Sequence, residues 1–304
     1  MSYGIINDII FKIVFGSEEN APVLVALLNA LLGYSGGDKI RSVQILNPSI
    51  DKEFLKQKNA ILDIKAVDCS GRHFNIEVQL EAETGYVKRT IYYLARLYSS
   101  QLETGDNYNA LSKTISISIL DYILFKNITD LQNIYRFKNI KNDHELSDII
   151  ELHYIELPKY DKDKPHAAKT PFEKWLHILK FSELYQDYTQ AIPDELIVEE
   201  GIEMAVTAYR KALTKGEVRE IIEFRHKAIK DEATKLDNAR KQGIAEGEVI
   251  GIAKGIAEGE VIGEARGEVK GEIKGLIKSA RIMLELGHSK AEIAEKLGLN
   301  ESEF

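Results

Sequence analysis

The stretch Ile61-Leu-Asp-Ile-Lys-Ala-Val-Asp-Cys-Ser-Gly-Arg-His-Phe-Asn-Ile-Glu-Val-Gln-Leu80 reads as two alternating strands joined by a tight turn. Leu62, Ile64 and Ala66 alternate with Asp63 and Lys65, and Phe74, Ile76, Val78 and Leu80 alternate with Asn75, Glu77 and Gln79. A period of two marks half-buried strands with one apolar and one polar face. Register then decides what the polar face can do. A three-residue loop Cys69-Ser70-Gly71, with Gly71 left-handed, pairs Asp68 with Arg72 and sets Asp63 opposite Glu77. A two-residue Ser70-Gly71 turn sets Asp63 opposite Val78 instead, on the wrong face. Directly opposed residues hold their Cβ atoms about 4.5–5.5 Å apart, so both carboxylates can reach one metal ion. Like charges this close are unfavourable unless a cation lies between them or one takes up a proton, and metal is the simpler answer. The alternative is a solvated hairpin face on which Lys65 neutralises Asp63, since antiparallel sheets usually present a polar outer face.

Leu62-Asp63 followed by Glu77-Val78-Gln79 on the next strand resembles the PD-(D/E)xK nuclease signature. The flanks resemble one branch of that superfamily, the recombination-promoting nuclease and transposase family. The resemblance runs, in order, through Asn7-Asp-Ile-Ile-Phe-Lys-Ile-Val-Phe-Gly16, the acids of the hairpin, Arg89-Thr-Ile-Tyr-Tyr-Leu-Ala-Arg-Leu-Tyr98, Gln101-Leu-Glu-Thr-Gly-Asp-Asn-Tyr108 and Ile155-Glu-Leu-Pro-Lys-Tyr160. Two departures stand out: Leu62 occupies a position where proline is common, and Gln79 replaces the motif lysine. The resemblance implies an α/β restriction-endonuclease-like sandwich core and a metal-dependent DNA endonuclease. It also implies a role in recombination, transposase-like activity or defence against foreign DNA.

The chain of 304 residues, 44% hydrophobic, is long enough for one globular domain with appendages. Its single cysteine, Cys69, excludes an intramolecular disulfide and a cysteine-rich zinc site, which fits a reducing cytoplasm. The seven histidines show no pair at ligand spacing on one helix. No apolar run reaches the length of a membrane span, and the first residues lack the basic start of a signal peptide, so a soluble cytoplasmic protein is expected. A net charge of −8 argues against indiscriminate nucleic-acid binding. The charge is uneven, however: the candidate nuclease region is near neutral, and Lys52, Lys56, Lys58, Lys65, Lys88, Arg89 and Arg96 crowd around the hairpin in sequence.

Apolar spacing predicts one or two helices over 7–32, closed by Gly33, and a strand at 41–46. After the hairpin, 87–101 is helical with Ile91, Leu94, Ala95 and Tyr98 on one face, 114–120 alternates as a strand, and a further strand covers 153–157. The polar segment 161–171 carries two prolines and reads as a linker. These signals divide the chain into a nuclease-like domain (1–165), a helical region (166–241), a glycine-repeat segment (242–275) and a C-terminal helical hairpin (276–304). In the third segment glycine recurs at every fourth position from Gly243 to Gly275. Each glycine costs about 0.8–1 kcal/mol against alanine inside a helix, so an isolated helix there is implausible. A self-associating helix, supported by the family resemblance, is favoured over a pliable tether. Successive glycines advance by about 40° around such a helix and form a winding groove that admits a second helix. Ser289-Lys-Ala-Glu292 is a capping box opening the last helix, and a helical hairpin for oligomerisation is favoured over a helix-turn-helix because that helix is acidic.

The expected chemistry is phosphodiester hydrolysis with Mg²⁺ or Mn²⁺ held by Asp63, Glu77 and the Val78 carbonyl, all hard oxygen donors. Gln79 is neutral and can only hydrogen-bond, so Lys65, two residues from Asp63 on the same predicted face, is the candidate replacement cation. Asp8 is a candidate for metal support, and Arg89 with Tyr92 for phosphate contact. DNA is the expected substrate, with RNA as a third possibility, and a homo-oligomer is expected through the C-terminal half. A second reading is a DNA-binding or assembly protein whose acids no longer cut.

Overall fold

A computed structural model describes residues 3–47 and 63–304. Leu62, Lys52, Lys56 and Lys58 therefore lie outside the described residues. Among the described residues six strands form one mixed sheet in the order β1-β2-β3-β4-β6-β5. They are β1 (Val43–Ile45), β2 (Ile64–Asp68), β3 (His73–Gln79), β4 (Thr114–Leu120), β5 (Gln132–Lys138) and β6 (Glu145–Glu156). The pairs β1–β2, β2–β3 and β5–β6 are antiparallel. The pairs β3–β4 and β4–β6 are parallel. A parallel neighbour requires a crossover, and helix α3 (Tyr86–Ser99) supplies the one between β3 and β4.

Helices cover both sheet faces. On the apolar face, Ile64, Ala66, Phe74, Ile76, Ile115, Ile117 and Ile119 join the main core with α1 (Asp8–Phe15) and α2 (Ala21–Leu32). Asn7 begins α1 by accepting from the Ile9 and Ile10 amides, and left-handed Gly33 ends α2 with φ 66°. The opposite face carries Asn75, Glu77, Ser116 and Ser118, all buried rather than solvated. There Tyr86 of α3 packs with Leu120 and Tyr154, and the Thr90 hydroxyl lies 2.6 Å from that of Tyr154. Helix α3 thus buries Tyr86, Thr90, Leu94 and Leu97, while Ile91 and Ala95 of the expected face are exposed. The polar sheet beneath selects hydroxyl-bearing positions that apolar periodicity overlooks.

The structure corrects two further expectations. The strand expected at 153–157 begins at Glu145 and pairs with β5, a strand whose mostly exposed residues gave no clear alternation. The compact unit also runs past residue 165, because α4 (Pro171–Phe181) and α6 (Ile202–Thr214) bury Trp175, Leu176, Ala205, Val206 and Tyr209 in the same core as α1 and α2. Between them lies the short α5 (Asp194–Ile197). At Gly201, φ is +84°, and an added Cβ would stand 2.5 Å from the Ala26 Cβ, so this turn needs glycine to seat α6 on α2. The chain divides into the units Met1–Ile229 and Lys230–Phe304, not at the 165/166 boundary. Helix α7 is assigned to Gly216–Glu285. Within the second unit, Gly287 has φ +92°, Ser289 and Glu292 form a capping box before α8 (Lys290–Leu297), and Ala280 and Ile293 are buried. Among the described residues no helix is long and apolar enough to cross a membrane.

Candidate active site

The β2–β3 hairpin builds the site. Ile64 pairs with Ile76, Ala66 with Phe74 and Val67 with His73. The loop closes through Asp68 N donating to Arg72 O and Gly71 N donating to Asp68 O, both at 3.0 Å, with Gly71 at φ +83°. This is the register of the three-residue loop, and one step beyond Ile64 and Ile76 it sets Asp63 against Glu77. Both acids are buried, at 6% and 8% exposure.

Burial pushes the Glu77 carboxyl above the ordinary carboxylate range, and the charge of Asp63 pushes it further, while the Tyr86 hydroxyl and Arg89 act the other way. Tyr86 donates to Glu77 Oε1, leaving Oε2 without this partner, and burial and that carboxylate hold the phenol strongly protonated. Asp63 is also raised, by burial first, with Lys65 and then Lys12 opposing. Lys65 Nζ stands 3.6 Å from Asp63 Oδ2, and Asn47 Nδ2 is 3.4 Å from Oδ1. Lys65 therefore lies beside the acid.

Lys12 is a site residue that periodicity missed. It stands on the buried face of α1, and its Nζ donates to Asn47 O at 2.7 Å and to Asp63 O at 3.0 Å. Burial brings its pKa down to about 8, opposed by Asp63. An added Cβ at Gly16 would stand 2.7 Å from Lys12 Cδ, so the glycine leaves room for the lysine stem. The signal was present in Phe11-Lys-Ile-Val-Phe-Gly16, a charge inside an otherwise apolar stretch of the helix.

Gln79 uses both ends of its amide, donating to Glu81 O at 3.0 Å and accepting from an Arg89 terminal nitrogen at 3.1 Å. Arg89 also pairs with Glu83 and lies 5.0 Å from the Tyr86 ring centroid. Asp8 and Tyr92 make other contacts. The Asp8 carboxylate meets Arg225 at 2.9 Å, and Tyr92 is exposed, against Tyr93 and Arg96. The Gln79 carbonyl accepts from Asp121 N at 3.0 Å. Alternation along a strand turns the Val78 carbonyl to the β2 side, where the facing position, residue 62, lies outside the described residues.

No group of three or more His, Cys, Asp or Glu side chains able to hold a metal occurs among the described residues. Two buried carboxylates with raised proton affinity nevertheless fit a hard divalent ion that keeps several waters and takes further oxygens from a phosphate. A mixed sheet flanked by helices, carrying paired acids on adjacent strands, is compatible with the PD-(D/E)XK-like class. Residues 5–239 match the family described as PD-(D/E)XK nuclease family transposase. The chain belongs to that family. No curated protein and no solved structure matches it.

Proposed function

We propose that this chain is a divalent-metal-dependent DNA endonuclease acting in recombination, transposase-like mobility or defence against foreign DNA. The observation that supports it most is the hairpin register that buries Asp63 and Glu77 on one face. In this reading Asp63, Glu77 and the Val78 carbonyl hold Mg²⁺ or Mn²⁺. When bound, such an ion supplies an acidified water and neutralises charge on the phosphate. Tyr86 fixes Glu77 through Oε1 and leaves Oε2 for the ion, as an outer partner orients a metal ligand. Lys12 and Asn47 fix the Asp63 main chain, and Lys65 balances its charge until metal arrives. Asp8, paired with Arg225, takes no part, and exposed Tyr92 stays a candidate phosphate contact.

The same reading places the protein in the cytoplasm and gives the glycine-repeat portion of α7 a role in self-association. It is supported there by nine glycines with nothing within 4 Å of an added Cβ. The second reading, a non-catalytic DNA-binding or oligomeric assembly protein with a decayed site, draws on Gln79 in place of lysine. Nicking of supercoiled plasmid by the purified chain with Mg²⁺ or Mn²⁺, lost in Asp63→Ala and Glu77→Ala, is the expected result. DNA binding without cleavage selects the second reading, and preferential cleavage of single-stranded or structured RNA moves the substrate class.

A further inference from the structure

We infer that Arg89 is the phosphate-facing cation of this site, doing from helix α3 what lysine does at the third motif position, and that Gln79 is its positioning residue. The inference rests on the metal-dependent nuclease reading and deepens it. With its nitrogen on Glu81 O and its oxygen on Arg89, the Gln79 amide is oriented by protein partners at both ends rather than by a water. What it holds instead is a guanidinium. Residues 86 and 89 share a helix face, so the side chain that fixes Glu77 also lies under Arg89: the Tyr86 hydroxyl donates to Glu77, and the guanidinium sits 5.0 Å from its ring centroid. The cation is thereby anchored from β3, from the Tyr86 ring and from Glu83.

Arg89 suits a phosphate better than Lys65 does. Its side chain is 31% exposed, and beyond the bonds to Glu83 and Gln79 each terminal nitrogen of its planar fork keeps a second N–H for a phosphate oxygen. Lys65 lies against Asp63 and has no link to position 79.

The distinguishing test is a charge exchange in the full chain, read by plasmid nicking with Mn²⁺ and by fluorescence anisotropy of a labelled duplex in Ca²⁺, with intact DNA confirmed after each titration. Arg89→Gln is expected to slow nicking by about 100-fold, the scale of losing one preorganised donor, and to weaken duplex binding. Gln79→Leu is expected to lose less and to add nothing in the Arg89→Gln background, because its effect runs through Arg89. Gln79→Lys alone sets an ammonium against the guanidinium and is expected to lower both readouts. Gln79→Lys with Arg89→Gln puts one cation back at the motif position and is expected to recover most of the nicking. Should Arg89→Gln melt abnormally, Arg89→Lys, which keeps the charge without the fork, is expected to fall between wild type and the metal-ligand variants.

Gln79→Lys nicking faster than wild type, wild-type nicking by Arg89→Gln, or independent losses in the Gln79→Leu/Arg89→Gln pair would each overturn the assignment. A wild-type chain that never cuts overturns it together with the nuclease reading. An intact nuclease with an indifferent Arg89 overturns the assignment alone.

Discussion

Glu77→Gln is expected to abolish cleavage and, in metal-free protein at neutral pH, to raise stability. Burial pushes up the carboxyls of both Glu77 and Asp63. For acids whose folded pKa is raised, the associated stability is present below the unfolded pKa and is lost as pH rises through the folded value. In metal-free protein, ionising these buried acids as the pH rises therefore weakens the fold. At Glu77 burial is the larger cause, with Arg89 opposing the Asp63 charge. Directly opposed residues hold their Cβ atoms about 5.5 Å apart, a spacing at which unit charges repel by about 3 kcal/mol at an effective dielectric near 20. Lys65, 3.6 Å from Asp63 Oδ2 but 42% exposed, offsets part of this, leaving about 1–2 kcal/mol for the substitution. The new amide keeps the Tyr86 hydrogen bond at its oxygen and offers Asp63 a donor. In a unit of this size about 1 kcal/mol moves Tm by roughly 2–4 °C, so a rise of about 2–8 °C is expected by calorimetry in EDTA. The gain should shrink in mild acid, where wild-type Glu77 takes up a proton. Mn²⁺ should raise the Tm of wild type more than that of the variant, because only wild type keeps both charged ligands. A variant melting below wild type in EDTA, a gain undiminished in acid, or an equal Mn²⁺ shift would refute the electrostatic account of the site.

Lys65→Ala removes a partly exposed pair worth about 0.2–1 kcal/mol, so plasmid nicking should fall by no more than about fivefold, and a loss as deep as that of Asp63→Ala would return the missing cation to Lys65. Gly201→Ala combines a positive φ with a 2.5 Å approach to Ala26 and should destabilise the first unit by about 2–4 kcal/mol in urea unfolding; a change under half of that would mean the turn relaxes. A chain ended after Ile229 is expected to stay folded with a cooperative melt, since that unit contains the sheet and both hydrophobic clusters, whereas ending it at residue 165 strips Trp175 and Tyr209 from the core and should give aggregated protein. Soluble, cooperatively melting protein from the shorter version would show α4–α6 to be dispensable.

What the sequence made legible was whatever local rules dictate. Alternation marked β2, β3 and β4, and one glycine able to turn left-handed chose between two registers and so between two faces for Asp63. Those rules are short-ranged, and they fail where the deciding partner is far along the chain. The covering of the polar sheet face depends on Tyr86 and Thr90 finding Glu77 and Tyr154, so apolar spacing within α3 pointed to the neighbouring face. Strand β5 is held by its pairing with β6 rather than by burial of its own side chains. The unit boundary moved because α4 and α6 fill a core begun more than a hundred residues earlier, which the prolines of 161–171 do not interrupt. Lys12 and Arg89 share this character. Each is a charge whose meaning lies in what it reaches, Asp63 in one case and Gln79 in the other, and neither neighbour is within reach of any periodicity. Polar groups are therefore where tertiary structure added most here: an apolar residue needs only to be buried, but a buried or half-buried charge needs a particular partner, and that partner is fixed by the fold.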